Sequence, residues 1–253
     1  MLMPKLTQNF TTDFDALTAG LAPDYAGEPY AFSRFGDGEA SIMQGVGHRA
    51  KSDHWEFRNS AEIPLLLMAG LRDAALYSSP GYHIGVIAED RSAQQHEFLL
   101  SLARRTPLER ITYAGIFIFS NFKRWQEKNI SHCCVVSSHA TADIRVPPHP
   151  TAPTWFTSLN SIVAKMQAEQ RPILLAAGPW ACVLVHRYWA DTPPARRQVV
   201  IDVGSAIELS MSKRRTRRYH NPRHPNADWV PAWKADAESL PAEEASDAFF
   251  SFE

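Results

Sequence analysis

The chain has 253 residues, of which 45% are hydrophobic and 21% charged, so it can bury a sizeable core and is not disordered for most of its length. Its 26 basic and 27 acidic residues give a net charge of −1, so no overall charge excess favours binding to nucleic acid or membrane. Three cysteines cannot form a disulfide framework. With no targeting segment and no apolar run of about 20 residues, we expect a reduced, cytoplasmic protein without a membrane span.

Strand and helix patterns alternate along most of the chain. Short runs of β-branched and aromatic residues predict strands, and apolar residues repeating every three or four positions predict helices. This alternation is typical of an α/β fold with a mainly parallel sheet. In chain order, the predicted elements are a helix over 13–21, a strand over 30–35, helices over 39–44 and 60–75 (with Ser60 as N-cap), a strand over 81–88, a helix over 92–105, a strand over 111–119, a helix over 122–128, a strand over 133–137, a helix over 157–170, a strand over 172–177, a helix over 179–190 and a strand over 199–203.

The composition changes near residue 210, so we predict one α/β domain over 1–210 followed by a basic segment and an acidic tail over 211–253. The stretch from Lys213 to Arg223 contains six basic residues and no acid, and residues 236–253 contain six acids and no base. The basic stretch can bind phosphates of a nucleotide, an anionic polymer or nucleic acid. The alternatives are a solvated loop or a partner for the acidic tail.

Two carboxylates flank a glycine where the first predicted strand ends, in the run Arg34-Phe-Gly-Asp-Gly-Glu39. In open α/β sheets this end of the strands binds ligands. In a turn, Asp37 and Glu39 can converge on one divalent cation, and Gly36 and Gly38 allow the backbone to approach a phosphate. Arg34 can pair with the same anion. The alternative is a polar turn with solvated acids.

A strand–turn–helix–strand unit near residue 180 contains a second candidate site. Pro179 suits the first helical position, and the free N–H groups that follow Gly178 are a candidate anion site. Asp202, near the end of the next strand, either accepts hydrogen bonds from ribose or sugar hydroxyls or caps the turn. The turn lacks the G-x-G-x-x-G pattern of dinucleotide-binding proteins, and the chain contains no P-loop motif.

The Arg34–Glu39 run resembles the start of the GT-D fold glycosyltransferase family, formerly the domain of unknown function 1792, in which R-F-G-D-G-E follows the first strand. Two later segments fit in order: 177–181 is similar to that family's G-P-T-A turn, and 200–205 to its late D-[IV]-G segment. Two departures are Trp180 in place of threonine and Ser205 in place of histidine.

The resemblance implies a Rossmann-like fold with helices on both faces of the sheet. It also implies metal-dependent sugar transfer, with Mn²⁺ or Mg²⁺, from a nucleotide-sugar donor (a UDP-sugar is expected) to a glycan or glycoprotein acceptor. The metal is assigned to Asp37 and Glu39. The predicted site comprises Asp37, Glu39 and Asp202 as catalytic residues and Arg34, Gly36, Gly38, Gly178, Pro179 and Gly204 as residues that bind the nucleotide sugar.

Several alternatives stay open on the sequence alone. The basic stretch allows a modified nucleic acid as acceptor. The segment 199–205 looks like part of the nucleotide-binding motif of methyltransferases that use S-adenosylmethionine, although Ala206 stands where a glycine is expected. A non-catalytic module that binds nucleotides or glycans is the third alternative. For the base that takes the acceptor's proton, Asp202, Glu208 and His220 are candidates.

Overall fold

A computed structural model describes residues 3–46, 48–50, 55–57, 62–212, 217 and 228–231. Its strands are β1 (Ala31–Phe35), β2 (His48–Ala50), β3 (Trp55–Phe57), β4 (Tyr82–Val86), β5 (Ile111–Tyr113), β6 (Cys134–Ser137), β7 (Ile144–Arg145), β8 (Ile173–Ala176) and β9 (Val200–Asp202). Seven of them form one parallel sheet in the order β5-β4-β1-β9-β8-β6-β7, and β2 pairs antiparallel with β3. The predicted α/β class with a parallel sheet is confirmed.

Helices cover both faces of the sheet, as expected. Two buried apolar clusters lie between helices and sheet, one on each face, because successive strand residues point to opposite sides. In β8, for example, Ile173 and Leu175 belong to one cluster and Leu174 to the other. The helices are α1 (Phe10–Ala19), α2 (Asp37–Met43), α3 (Glu62–Leu76), α4 (Ala93–Leu102), α5 (Phe122–Gln126), α6 (Thr154–Ala168), α7 (Trp180–Asp191) and α8 (Glu208–Ser212).

The strand predicted over 111–119 is wrong in its second half. β5 ends at its third residue, and the chain then turns and forms a short 3-10 helix that begins at Phe119. Ile116 and Phe117 in this stretch are fully buried. The apolar run therefore reflects burial beneath α1 and α5, which a continuous apolar pattern cannot distinguish from a strand.

Other differences are small or fall on short elements. α1 starts three residues before its predicted first residue because Asn9 caps it, accepting from the N–H groups of Thr11 and Thr12. β2, β3, β7 and α8 were not predicted, since elements this short carry no clear periodicity. Ser60, the predicted cap of α3, lies outside the described residues. In the part of the chain that the structure covers, no helix has the length and apolar character that crossing a membrane requires.

Candidate functional site

The predicted site segments meet at one end of the sheet. β9 lies between β1 and β8, and all three strands run parallel. The loops that follow Phe35, Ala176 and Asp202 therefore leave the sheet on the same side, here called the carboxyl end. Three segments far apart in the sequence, namely the Arg34–Glu39 run, the turn before α7 and the turn after β9, are thereby neighbours.

Asp37 and Glu39 open a helix, whereas the sequence predicted a turn with the helix starting at Glu39. α2 begins at Asp37, with Gly36 as its extended N-cap, and Glu39 Oε2 accepts the Gly36 N–H at 2.9 Å. Residues two apart on a helix point in directions that differ by about 200°. Consequently Asp37 is exposed while the half-buried Glu39 turns back toward the strand end. Gly38, predicted to approach a phosphate, is the second residue of the helix.

Negative charge is in excess around Glu39. Burial raises the pKa of the Glu39 carboxyl to about 7; Arg34 lowers it, while Asp202 and Asp37 add to the increase. Glu39 and Asp202 thus share the one guanidinium of Arg34, and the exposed Asp37 adds negative charge at the helix start that a divalent cation could neutralise.

These residues fit a cation that is shared with a substrate, and they do not form a complete metal site. Within the ranges that the structure describes, no group of three or more His, Cys, Asp or Glu side chains could hold a metal ion. Mg²⁺ sites next to phosphates, however, need only one or two protein carboxylates, with phosphate oxygens and water completing the shell. Asp37 and Glu39 supply that number of carboxylates, but their side chains leave α2 in different directions, so their joint binding of one cation stays a prediction.

Arg34 links three segments of the carboxyl end. Its Nε lies 3.4 Å from Asp202 Oδ1, and its Nη1 donates to the backbone carbonyl of Ala114 at 3.0 Å. The guanidinium thus joins β1 to β9 and to the loop after β5. Its predicted contact with a substrate anion stays a prediction; 20% of the side chain is exposed.

Asp202 is buried behind Arg34 and caps the turn after β9. Its Oδ1 accepts the Gly204 N–H at 3.0 Å, and only 3% of the side chain is exposed. Burial raises the pKa of the Asp202 carboxyl, and Arg34 opposes that shift. These contacts are those of a capping residue, one of the two roles that the sequence left open. A role toward sugar hydroxyls stays a prediction.

Gly204 is required by both its backbone and its surroundings. Its φ is +50°, in the left-handed region that favours glycine, and a Cβ there would lie 1.8 Å from Arg34 Nη2. The guanidinium therefore packs against this glycine with its Nη2 group nearest. Gly204, predicted to bind the nucleotide sugar, has a structural reason to be glycine that is independent of any ligand.

The start of α7 is anchored by tryptophans. Gly178 has φ +56°, and Pro179 is the N-cap, one residue before the helical position predicted for it. Trp180, the first helical residue, donates from Nε1 to the Pro150 carbonyl at 2.7 Å and stacks on Trp155 with ring centres 4.6 Å apart. This packing holds the N–H groups of the helix start at the carboxyl end, where they can bind an anion.

Two further residues of the site were missed by the sequence analysis. The Cys182 thiol in the first turn of α7 donates to the Arg34 carbonyl at 2.8 Å, which ties α7 to the end of β1. Gln95 Nε2 in α4 donates to the Asp37 carbonyl at 3.4 Å and to Ser41 Oγ at 3.2 Å. Neither contact has a local sequence signal, because each joins elements distant in the chain.

The basic stretch and the tail fall almost entirely outside the described residues. Arg217 is described, and its Nη2 lies 3.5 Å from Glu208 Oε1. His220, one of the candidate bases, and the acidic tail are outside the described part of the chain. The phosphate-binding prediction for Lys213 to Arg223 is therefore untested.

Comparisons with known proteins bear on the fold. No protein-family model and no curated protein sequence matches the chain. A solved domain of unknown function 1792, described as highly conserved and as having a distinct glycosyltransferase fold, aligns over 93% of each chain at 17% identity with a TM-score of 0.50. A glycosyltransferase with the same domain, from Streptococcus sanguinis, aligns over 96% of this chain and 97% of its own, at 16% identity and a TM-score of 0.50. The chain therefore has the glycosyltransferase fold of that domain, as the Arg34–Glu39 run predicted.

Proposed function

We propose that this protein is a metal-dependent glycosyltransferase that uses a nucleotide-sugar donor. The observation that carries the proposal is the position of the D-x-E pair: in a chain with a glycosyltransferase fold, Asp37 and Glu39 follow β1 at the carboxyl end of the sheet. Open α/β sheets bind their ligands at this end. The expected donor is a UDP-sugar, and the expected acceptor is a glycan or glycoprotein.

The donor diphosphate would lie between β1 and β8. On one side, the start of α7 offers backbone N–H groups and the positive end of the helix dipole. On the other side, the start of α2 also offers backbone N–H groups, together with the carboxylates of Asp37 and Glu39. A divalent cation held by Asp37 and Glu39 would neutralise the charge that develops on the leaving diphosphate.

The protein's own groups fix this arrangement before the donor binds. Arg34 ties β1, β9 and the loop after β5 together, and the Cys182 thiol ties α7 to the end of β1. Such preorganisation lowers the cost of stabilising a charged transition state. Asp202 is too deeply buried behind Arg34 to contact an acceptor hydroxyl in this arrangement, which favours a positioning role over that of the base.

The test is sugar transfer with matched acid variants. Purified protein is assayed with UDP-, GDP- and ADP-sugars and a panel of oligosaccharide acceptors, each with Mn²⁺ or with EDTA, for release of the nucleoside diphosphate. We expect turnover with one donor in Mn²⁺ and a loss of about a hundredfold or more in Asp37→Asn and Glu39→Gln. Asp24→Asn and Glu28→Gln are the controls, because these exposed acids precede β1 and lie toward the opposite end of the sheet.

Two results would contradict the proposal. Full turnover in the Asp37 and Glu39 variants would exclude the D-x-E pair from the mechanism. Binding of a nucleotide sugar with no turnover for any acceptor would favour the non-catalytic binding module instead.

A further inference from the structure

A cation and two aromatic rings cluster beyond β4 and β5, next to the proposed donor site. The Arg91 guanidinium lies 3.9 Å from the centre of the Trp229 ring and 5.5 Å from that of Phe119. The two rings meet edge to face with centres 4.6 Å apart. The Ser120 N–H donates to the Trp229 carbonyl at 3.4 Å, which holds the described segment 228–231 against the loop after β5. We call Arg91, Phe119 and Trp229 the aromatic cluster.

The cluster is arranged around the indole of Trp229. Arg91 lies over one face of the indole ring. The distance between Arg91 and the Phe119 ring, 5.5 Å, is longer than the distance of either group to the indole, 3.9 Å and 4.6 Å. Phe119 therefore contacts the indole from a different direction. Phe119 adopts φ +57°, one of two non-glycine residues with positive φ in the described chain. Strained backbone of this kind concentrates at functional sites.

Two contacts connect the aromatic cluster to the D-x-E pair. α4 begins directly after Arg91 and Ser92, and its Gln95 Nε2 donates to the Asp37 carbonyl at 3.4 Å. Arg34 donates to the carbonyl of Ala114, in the loop that leads to Phe119. The cluster therefore borders the site on the β4 side, whereas the start of α7 borders it on the β8 side.

We propose that the aromatic cluster is the acceptor subsite and that it binds a pyranose ring of a glycan. The inference rests on the proposed function, because the acceptor is the second substrate of a sugar transfer. Trp229 presents a half-exposed apolar surface for the C–H face of a sugar, and Arg91 supplies N–H donors for its hydroxyls. The flanking Asp228 and Val230 are exposed, so the outer side of the segment is open to a large acceptor.

A nucleobase is the rival occupant, since it also stacks on indole and guanidinium groups. The position of Trp229 favours the glycan. One indole face is already covered by Arg91, so a base cannot be enclosed between the two groups. The neighbours of Trp229 are exposed, which leaves room beside the ring for a polymeric acceptor. The experiment distinguishes the two occupants.

The test measures glycan binding and nucleotide binding separately on the full chain. Glycan binding is measured on an array of oligosaccharides that end in glucose, galactose or N-acetylglucosamine. Nucleotide binding is measured as the thermal shift with UDP and Mn²⁺. The variants are Trp229→Ala, Trp229→Phe and Arg91→Lys, which keeps the charge but loses the planar guanidinium. Val230→Ala is the control, because Val230 is 56% exposed beside Trp229.

We expect Trp229→Ala and Arg91→Lys to weaken glycan binding by about tenfold, Trp229→Phe to retain part of it, and Val230→Ala to equal the wild type. The UDP shift should be the same in all variants. The proposal is overturned if the wild type binds none of the oligosaccharides, or if Trp229→Ala binds them as the wild type does. Loss of the UDP shift in Trp229→Ala would instead assign the cluster to the nucleobase.

These outcomes separate the subsite from the proposed function. Glycan binding that depends on Trp229, in a protein that transfers no sugar from any donor, would support the glycan subsite and contradict the glycosyltransferase. Sugar turnover without glycan binding at the aromatic cluster would support the glycosyltransferase and contradict the glycan subsite. Melting temperatures without ligand identify any variant that fails to fold, and in that case Trp229→Phe and Arg91→Lys carry the test.

Discussion

At each end of the sheet, an arginine contacts acidic residues. These two groups of charged side chains differ in how deeply they are buried. At the carboxyl end, Arg34 and Asp202 have side chains that are 20% and 3% exposed. At the amino end, before β8, Arg171 is 42% exposed and contacts Asp143 at 3.1 Å and Glu169 at 2.7 Å.

The pKa values move in opposite directions in the two groups. Burial raises the pKa of Asp202, and it raises that of Glu39 to about 7. Hydrogen bonds from Arg171 lower the pKa of Glu169 to about 2. Residue types alone therefore do not mark a site. Each group has one arginine and two acids, but Arg171 hydrogen-bonds its acids near the surface, whereas burial raises the pKa values of the acids around Arg34, a typical feature of functional sites.

The largest expected contrast is in stability after removal of each arginine. Arg34→Ala leaves Asp202 buried without its cation and also removes the hydrogen bond to the Ala114 carbonyl. We therefore expect the free energy of unfolding to fall by about 3 kcal/mol. Arg171→Ala leaves acids that water can reach, and its loss should be under about 1 kcal/mol. Urea denaturation of both variants measures the difference, and equal losses would show that burial does not distinguish the two groups.

A second contrast uses two glycines with similar backbone angles. In Gly204→Ala the new Cβ clashes with Arg34 Nη2, and the residue must adopt a φ of +50°. The clash and the backbone strain together should lower the free energy of unfolding by about 2–3 kcal/mol. In Gly178→Ala, φ is +56° but the nearest atom, Pro150 Cγ, is 3.6 Å away, so the cost is the backbone strain of about 1 kcal/mol. Denaturant midpoints of the two variants test this order. An equal cost would mean that Arg34 does not pack against Gly204.

A third contrast is the slope of stability with pH in the metal-free protein. The pKa of Glu39 is raised from 4.5 to about 7, so the folded state keeps a proton that the unfolded state has released, and stability falls as pH rises through that window. The pKa of Glu169 is lowered from 4.5 to about 2, so its contribution is lost as pH falls through that window. Melting temperatures are measured across both pH windows. Glu39→Gln should lack the decrease in stability as pH rises from 4.5 to about 7, and Glu169→Gln should lack the decrease as pH falls from 4.5 to about 2. A Glu39→Gln profile parallel to the wild type above pH 4.5 would place the Glu39 pKa near its ordinary value.

Local patterns in the sequence predicted the parts of the site that lie within single segments. Alternating strands and helices indicated the parallel sheet, and glycines and acids after predicted strands indicated Asp37, Glu39 and Gly178. The Arg34–Glu39 run also indicated the glycosyltransferase fold, which the structural likeness confirms.

The contacts between segments could not be predicted in this way. The pair of Arg34 and Asp202 depends on the last strand inserting between β1 and β8, although strands consecutive in sequence usually lie side by side. The cluster of Arg91 and Trp229 depends on a segment near the C-terminus crossing back to the loop after β5. No periodicity of either segment encodes its partner.

The most direct test of the central claim is a thermal-shift measurement with nucleoside diphosphates, with and without Mn²⁺. A ligand that binds only the folded state at ~100 times its dissociation constant adds about 2.7 kcal/mol of stability. We predict a Mn²⁺-dependent increase in melting temperature with one diphosphate, expected to be UDP, that is lost in Asp37→Asn and Glu39→Gln and kept in Asp24→Asn and Glu28→Gln. No increase with any diphosphate, together with one for S-adenosylmethionine, would contradict the account and favour a methyltransferase.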